Sequence, residues 1–307
     1  SKTKLIKIEN IYLESWENID NQLWESFLFE NKITPTWDNV VKYYDSFLYD
    51  DILKGYVLTN VNKLAASKLE YHELATQIIN DQQVNEKLLI NGVFDSQKFI
   101  YSDIENLDDD IINIIIKRGL YEYTVENFNA LENRNSKLSI SFLKQAYKLE
   151  GFILDGCTFT NERLVSKIFK SLELDANIKK EILNIIDIEK FEYSCLSSIK
   201  DFVADNCKLE EIKFSTLQYL VTNLKLSDTI YLINSKISEL TSQELLDLIN
   251  STEYLKTLVT YPKRTTLENN KDSYKFLESL KNRGIISSFN LKNDKLIAYS
   301  KKSISLN

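Results

Sequence analysis

Glycine, proline, methionine and histidine are scarce in this sequence. Its 307 residues include six Gly, two Pro, one His and no Met, whereas average usage is about 7% for Gly and about 5% for Pro. Because Gly supplies most positive-φ turns and Pro stiffens extended linkers, tight hairpins and polyproline linkers are largely excluded. The composition therefore predicts long helices joined by short polar loops.

Closely spaced cysteines and long apolar runs are also missing. Cys157, Cys195 and Cys207 are an odd number with no close pair, which argues against a disulfide framework and favours a reducing compartment. The most apolar run, Ile111–Ile116, contains Asn113 and is far shorter than the roughly 20 residues of a membrane span. No signal peptide is recognisable. The sequence therefore predicts a soluble cytoplasmic protein with no membrane span.

What the chain does contain is enough apolar surface for a large core. Hydrophobic residues make up 43% of the sequence and aromatic residues 11%, which excludes general disorder. The length suits one large or two ordinary domains. A first residue of Ser and the absence of Met indicate an expression fragment with modified or omitted methionines.

Helical spacing begins early in the chain. In the stretch Lys32–Tyr49, Thr34 is placed to cap a helix whose first position is Pro35, where a missing N–H costs nothing. Trp37 and Tyr44 lie on its apolar face. Similar spacing predicts further helices over residues 5–30, 58–69, 71–79, 81–90 and 103–118.

The most hydrophobic predicted helix, residues 103–118, carries a cluster of acids, Asp108–Asp110, near its start. Acids at a helix N-terminus and the basic pair Lys117-Arg118 at its end both complement the helix dipole, and Gly119 follows as a stop signal. A calcium loop is the alternative, but the glycine and bidentate Glu of an EF-hand are missing. The cluster is therefore predicted to be a helix N-terminus.

Helix starts recur through the middle of the chain, at Phe159-Thr160, Phe214-Ser215 and Leu240-Thr241. The intervals between them, about 55 and about 26 residues, are unequal. This favours an irregular α-solenoid or bundle over a regular TPR or ankyrin array. The two later starts also carry capping boxes, which pair Ser215 with Gln218 and Thr241 with Glu244.

The C-terminal end differs in kind. Residues 263–270 are polar and are predicted to be a linker. A predicted helix, Asp272–Arg283, and two predicted strands, Ile285–Leu291 and Lys295–Ser300, follow and are typical of a winged-helix-like unit. The predicted domains are therefore a helical array over 1–262, with a sub-boundary near 92–102, and a C-terminal unit over 263–307.

Charge follows the same division. Residues 263–307 contain ten Lys or Arg and four Asp or Glu, a net charge of about +6, so the rest carries about −13. A basic unit on an acidic body indicates nucleic acid as one partner. A solvated lysine-rich surface and pairing with the acidic body are the alternatives. A nucleic-acid site would depend on four lysines: Lys292, Lys295, Lys301 and Lys302.

Tests for a catalytic motif assign no catalytic, cofactor-binding or metal-binding residue. The stretch Gly151–Thr158 has the glycine spacing of a phosphate-binding loop, but Cys157 replaces its Lys and the preceding residues predict a helix. His72 has Thr76 where a zinc protease helix needs a second His. A Cys–His dyad has no local support, and no carboxylate pair is singled out. The aromatic pair Tyr121/Tyr123 is predicted to lie in the core.

One stretch carries a family resemblance. The sequence ITPTWDNVVKYYDSF resembles an I-x-P-x-W-x-N-v-x-x-Y motif in the C-terminal region of large bacterial P-loop NTPases of the YobI-like type. Leu240–Leu246 and Leu277–Ser288 are also similar to recurring features of that helical tail. The motif positions present are Ile33, Pro35, Trp37, Asn39 and Tyr43.

The resemblance implies that the ATPase module lies N-terminal to this chain and that no functional residue transfers to it. The predicted function is a non-catalytic helical scaffold or sensor region of a larger NTPase, with a protein partner and no cofactor. The alternatives are a nucleic-acid adaptor acting through residues 263–307 and an enzyme with an unrecognised acid/base pair.

Overall fold

A computed structural model describes residues 72–80, 86–90 and 92–302. These residues are mainly α-helical and end in a small three-stranded antiparallel sheet, which confirms the predicted fold class. The helices predicted before residue 71, including Lys32–Tyr49, lie outside the described residues. The chain divides into two compact units between Phe152 and Ile153. The domain boundary predicted between residues 262 and 263 stays a prediction.

The first unit is a set of short helices around an aromatic core. Tyr121, Phe128 and Phe142 are fully buried, and the Phe142 ring centroid lies 5.8 Å from that of Tyr121 and 5.4 Å from that of Phe128. Tyr121 is therefore a core residue, as predicted, and Tyr123 packs edge-on against it. The described helices are α1 (His72–Ile79), α2 (Glu86–Ile90), α3 (Tyr101–Ile104), α4 (Asp109–Lys117), α5 (Val125–Leu131) and α6 (Ser136–Ala146).

The single helix predicted over residues 103–118 is wrong, because α3 ends at Ile104 and α4 begins at Asp109. The guanidinium group of Arg134 donates hydrogen bonds to the carbonyl oxygens of Glu105 and Leu107, which lie between the two helices. The acidic cluster does lie at a helix N-terminus, as predicted. Hydrogen bonds from Asn135 and from Arg134 lower the pKa of Asp109, and this favours its charged form next to the helix dipole.

The second unit contains longer helices and the sheet. Its helices are α7 (Glu162–Lys170), α8 (Ala176–Ile185), α9 (Tyr193–Asn206), α10 (Phe214–Asn223), α11 (Leu226–Lys236), α12 (Ser242–Asn250) and α13 (Lys271–Asn282). Its strands are β1 (Arg264–Glu268), β2 (Ile286–Lys292) and β3 (Lys295–Ser300). Short 3₁₀ turns are found at Ile188–Lys190, Leu209–Glu211 and Leu255–Val259.

Helices α7, α9, α11 and α13 pack in a row in which each contacts the next, and α10 packs against both α9 and α11. The hydrogen bonds that connect neighbouring helices join residues 26 to 38 positions apart. The Ser166 and Ser198 hydroxyl oxygens are 2.8 Å apart, and the Leu209 N–H donates to Glu239 at 2.8 Å. Stacking of successive helices at this separation is the architecture of an irregular α-solenoid, as predicted.

Buried or partly buried basic side chains join neighbouring helices at their C-terminal ends. Lys236 on α11 is 2% exposed, and its ammonium donates to the carbonyl oxygens of Ala204 and Cys207 at the end of α9. These carbonyls have no partner within their own helix. Burial lowers the pKa of Lys236. The same contact is made by Lys179 with Phe169 and Ser171, and by Arg283 with Ile237 and Leu240.

The two predicted capping boxes differ in outcome. Thr241 and Glu244 form theirs at the start of α12, with the Glu244 N–H donating to Thr241 Oγ1 at 3.1 Å. The box predicted for Ser215 is wrong, because α10 already begins at Phe214. Its second member, Gln218, instead donates to the Ser251 hydroxyl at 3.0 Å. A tertiary contact has replaced the local one.

The predicted linker over 263–270 is also wrong, because it contains β1. The sheet order is β1-β3-β2, so β1 pairs with β3 and α13 stands between β1 and β2 in the chain. Thr265 and Leu267 point to the buried face of the sheet, and their neighbours along β1 are exposed. The predicted hairpin is confirmed, with both turn residues, Asn293 and Asp294, at positive φ, as its tight turn requires.

Replacing Lys236 by Met tests the role of the buried ammonium groups. The variant keeps the length of the side chain but leaves the Ala204 and Cys207 carbonyl oxygens without their donor, which costs about 1–3 kcal/mol of unfolding free energy. Urea unfolding measures the loss. The matched variant Lys281→Met, at an exposed position of α13, should change stability by less than about 0.5 kcal/mol. Equal effects of the two substitutions would contradict the assigned role.

Candidate functional site

An open cleft of about 380 Å³ lies in the second unit, between the α7–α8 connection and the last two turns of α9. Apolar side chains form part of its lining and carboxylates another part. Its dimensions are at the lower end of those of ligand pockets, which suits one or two inserted side chains. The residues that define the cleft are Phe169, Leu172, Leu174, Asp201, Phe202 and Asp205.

The apolar part of the cleft rests on two rings. The centroids of Phe169 and Phe202 are 5.4 Å apart, and the Lys179 ammonium lies 5.6 Å from the centroid of Phe202. Because that ammonium also donates to the Ser171 carbonyl oxygen at 2.6 Å, it anchors the chain just before Leu172. Burial lowers the pKa of Lys179. The lysine is therefore part of the wall, with its charge directed at backbone oxygens.

Leu172 lines this cleft and is fully solvent-exposed, with a relative exposure of 101%. Burying a leucine side chain yields about 1.5–3 kcal/mol, and this residue gains none of it within the described structure. A single exposed leucine is common on protein surfaces, and what distinguishes Leu172 is its place at the rim of a cleft that is partly apolar. The cleft therefore has an apolar anchor point that none of the residues described by the structure covers.

Two carboxylates on α9 form the polar part of the cleft. Asp201 and Asp205 are four residues apart and so lie on one face of the helix. The Tyr231 hydroxyl donates to Asp205 at 2.9 Å, and this hydrogen bond raises the pKa of Tyr231. Among the described residues, no Lys or Arg makes a salt bridge with Asp205, whereas Asp201 is 2.7 Å from the Lys200 ammonium.

A polar network behind the cleft fixes α9 to α11. The Lys200 ammonium is buried and contacts Asp201 and, at 3.1 Å, Asp228, which also accepts a hydrogen bond from the Tyr193 hydroxyl. Burial by itself disfavours the charge on Lys200, but its hydrogen bonds with the two aspartates outweigh burial and raise the pKa of Lys200. Burial likewise opposes ionisation of Asp228, but hydrogen bonds from Tyr193 and Lys200 outweigh it and lower the pKa of Asp228.

The residues that sequence patterns singled out lie elsewhere. His72 is a satisfied histidine, as expected, because its Nδ1 lies 2.8 Å from Gln97 Oε1 and its Nε2 lies 3.1 Å from Asp103 Oδ2. The stretch around Gly156 follows α6 in the chain, whereas a phosphate-binding loop follows a strand.

The three cysteines have free, buried thiols. Burial raises the pKa of Cys157 to about 11, that of Cys195 to about 12 and that of Cys207 to about 11. The nucleophile in cysteine chemistry is the thiolate. Since all three pKa values lie far above neutrality, these side chains are protonated near pH 7 and behave as small apolar core residues.

Sequence reasoning missed every residue of the cleft. The only local signal was on α9, where Asp201 and Asp205 stand four positions apart on a helix with no basic residue in its last turn. Leu172 carries no signal at all, because its exposure depends on how the α7–α8 connection packs. The cleft is a tertiary feature that becomes visible only when the row of helices has formed.

The chain is similar to one curated bacterial protein. It is 23% identical over 306 residues to the "Uncharacterized membrane protein YobI" of Bacillus subtilis (strain 168). The match covers 92% of this chain and 25% of that protein, so the chain spans about a quarter of the relative's length. No family model matches the chain, and no solved structure shows significant similarity to it. The resemblance to YobI is confirmed, and the P-loop NTPase module stays a prediction.

This similarity corrects the predicted location. The relative is named as a membrane protein, so the prediction of a cytoplasmic protein is wrong. The composition used for that prediction covers a length equal to only about a quarter of the relative. In the part of the chain that the structure describes, no helix combines the length and apolar character of a bilayer span.

Replacing Asp228 by Asn tests the polar network through its pH dependence. Because the folded-state pKa of Asp228 is lowered, its contribution to stability is present above the ordinary carboxyl pKa of about 3.9 and disappears as pH falls through that range. The variant should be less stable than the parent chain by about 1–2 kcal/mol at pH 7. That difference should shrink as pH falls below this range, through the lowered folded-state pKa of Asp228.

Urea unfolding at a series of pH values gives this difference. The control is Glu253→Gln, at an exposed carboxylate, which should leave stability almost unchanged at every pH. A difference for Asp228→Asn that stays constant from pH 7 to pH 3 would refute the assigned charge interaction.

Proposed function

We propose that this chain is a non-catalytic protein-interaction region, acting as a helical scaffold or sensor, in a larger bacterial P-loop NTPase. The observation that carries the proposal is the cleft, where the uncovered Leu172 side chain stands next to the Phe169 and Phe202 rings on a row of stacked helices. Stacked helices offer extended surfaces for recognising other proteins. An apolar cleft with a polar edge suits an inserted side chain of a protein partner.

The size relation to YobI supports the second half of the proposal. The chain spans about a quarter of its relative's length, and the relative has ample length outside the matched part for an ATPase module. In this arrangement the partner binds the helical region and the nucleotide binds elsewhere. If the two events are coupled, partner binding must change nucleotide affinity by the same factor as nucleotide changes partner affinity.

The row of helices gives a physical route for such coupling. A side chain entering the cleft contacts α9 at Asp201 and Phe202, and α9 is tied to α11 through the Lys200–Asp228 contact. Movement of α9 therefore changes a buried ion pair, which is a structural element with a definite energetic cost of rearrangement. The cleft is in this way connected to helices that a partner does not touch.

Leu172→Asp in the full-length protein tests the interaction. A charge at this rim position should remove a partner that inserts an apolar side chain, reducing its recovery by at least about tenfold, since an unpaired charge against an apolar surface costs more than 1.4 kcal/mol. Cross-linking in the source cells followed by mass spectrometry measures recovery. The control is Leu291→Asp, at an exposed leucine of β2 that is 59% exposed.

The proposal predicts that the control retains the partner and that only the cleft variant loses it. Equal recovery with both variants, or the absence of any protein cross-linked to the cleft, would refute the cleft as an interaction site. Unchanged ATPase activity of the full-length protein after deletion of residues 153–307 would refute the coupling to the NTPase module.

A further inference from the structure

A cluster of exposed basic side chains lies at one end of the C-terminal sheet. Arg264 begins β1 and pairs in register with Tyr299 on β3, and the carbonyl oxygen of Lys263 accepts a hydrogen bond from the Ser300 N–H. The chain continues from Ser300 into two further lysines, so four cations meet at the same sheet end. We name them the basic patch: Lys263, Arg264, Lys301 and Lys302.

The charge of the basic patch is not compensated locally. All four side chains belong to exposed residues, and among the described residues none forms a salt bridge with any of them. The acids of the sheet lie at its opposite end, where Glu268 pairs with Lys295 and Asp294 accepts a hydrogen bond from Asn269. The strand β1 separates the two ends by about 13 Å, which exceeds the Debye length of about 8 Å at physiological salt.

We propose that the basic patch binds an anionic lipid surface. Each Lys or Arg close to such a surface contributes about 1 kcal/mol of attraction, so four clustered cations suffice for reversible binding even though the whole chain has a net charge of −7. Distant acids are screened within the same Debye length. The interaction therefore depends on the patch and not on the sign of the total charge.

An exposed tyrosine next to the basic patch favours a lipid surface over other anionic partners. Tyr261 precedes the patch and is 53% exposed, and tyrosine is enriched at membrane–water interfaces, where its ring and hydroxyl face different media. Single-stranded nucleic acid would require aromatic faces on which successive bases stack. Tyr299, on β3, is only partly exposed, so Tyr261 is the freely accessible ring next to the patch.

The described fold gives a second reason to rank nucleic acid lower. A winged-helix reader of duplex DNA places the second helix of a helix-turn-helix in the major groove. Between β1 and β2 the chain contains one helix, α13. Its buried side chains, Phe276 and Leu280 among them, pack inside the unit. The lysines that a nucleic-acid site was expected to use are also divided, since Lys295 pairs with Glu268.

Vesicle binding of the whole 307-residue chain tests the proposal. The probes are vesicles of phosphatidylcholine alone and vesicles that also contain about one-third phosphatidylglycerol. The chain should co-sediment with the anionic vesicles only, and binding should fall as salt rises from about 50 mM to about 300 mM. Replacing all four patch residues by Gln should weaken binding at least about 100-fold, given about 1 kcal/mol per charge.

A matched variant controls for total charge. In this variant, four exposed lysines outside the patch are replaced by Gln, which removes an equal number of charges from the same part of the chain. It should bind vesicles within about threefold of the parent chain. Circular dichroism checks that both variants keep their helices. The control residues are Lys271, Lys275, Lys281 and Lys292.

Three results would overturn the proposal. Equal binding to neutral vesicles would show that the charge plays no part, and equal losses in the patch and control variants would show a non-specific effect of total charge. Binding to a labelled duplex or single-stranded oligonucleotide that depends on the patch, with no vesicle binding, would assign the patch to nucleic acid instead. None of these results affects the cleft around Leu172, which is tested separately.

Discussion

The second unit depends on basic side chains whose charged ends donate to carbonyl oxygens at helix C-termini. In each case a charged group on one helix donates a hydrogen bond to a backbone carbonyl oxygen at or just beyond the end of another helix. The three residues are Lys179, Lys236 and Arg283. Such carbonyls must find a donor when they are withdrawn from water, so each contact fixes where one helix ends relative to the next. The cleft is a direct product, because the Lys179 contact with Ser171 holds the backbone that presents Leu172.

The two proposed binding surfaces lie on different parts of this unit. The cleft belongs to α7, α8 and α9 at the start of the row, and the basic patch belongs to the sheet that packs against α13. α11 lies between them in the order of contacts. A protein partner in the cleft and a lipid surface at the sheet therefore use separate residues, and one does not exclude the other. This arrangement suits a region that reports on a partner while it is held at a surface.

Local signals predicted much of the fold and almost none of the candidate site. The Thr241 capping box and the stop at Gly119 depend on a few adjacent residues, and the structure has both. β1 was mistaken for a linker because its burial requires β3, which lies about 30 positions further along the chain. The packing of the helices in a row could not be predicted for the same reason. Lys236, for example, gains its role only from carbonyl oxygens on another helix. The exposure of Leu172 and the clustering of the basic patch likewise arise only when the chain folds.

The C-terminal sheet also limits the length of the row. In a stack where each helix contacts only its neighbours, the last helix offers an apolar side to any similar helix, including one from another molecule. Here that last helix, α13, packs against β2 and β3, and Phe276, Leu277 and Leu280 are fully buried. The sheet presents mainly polar and charged residues outward. By covering this side of α13, the sheet removes the apolar surface on which a further helix would stack.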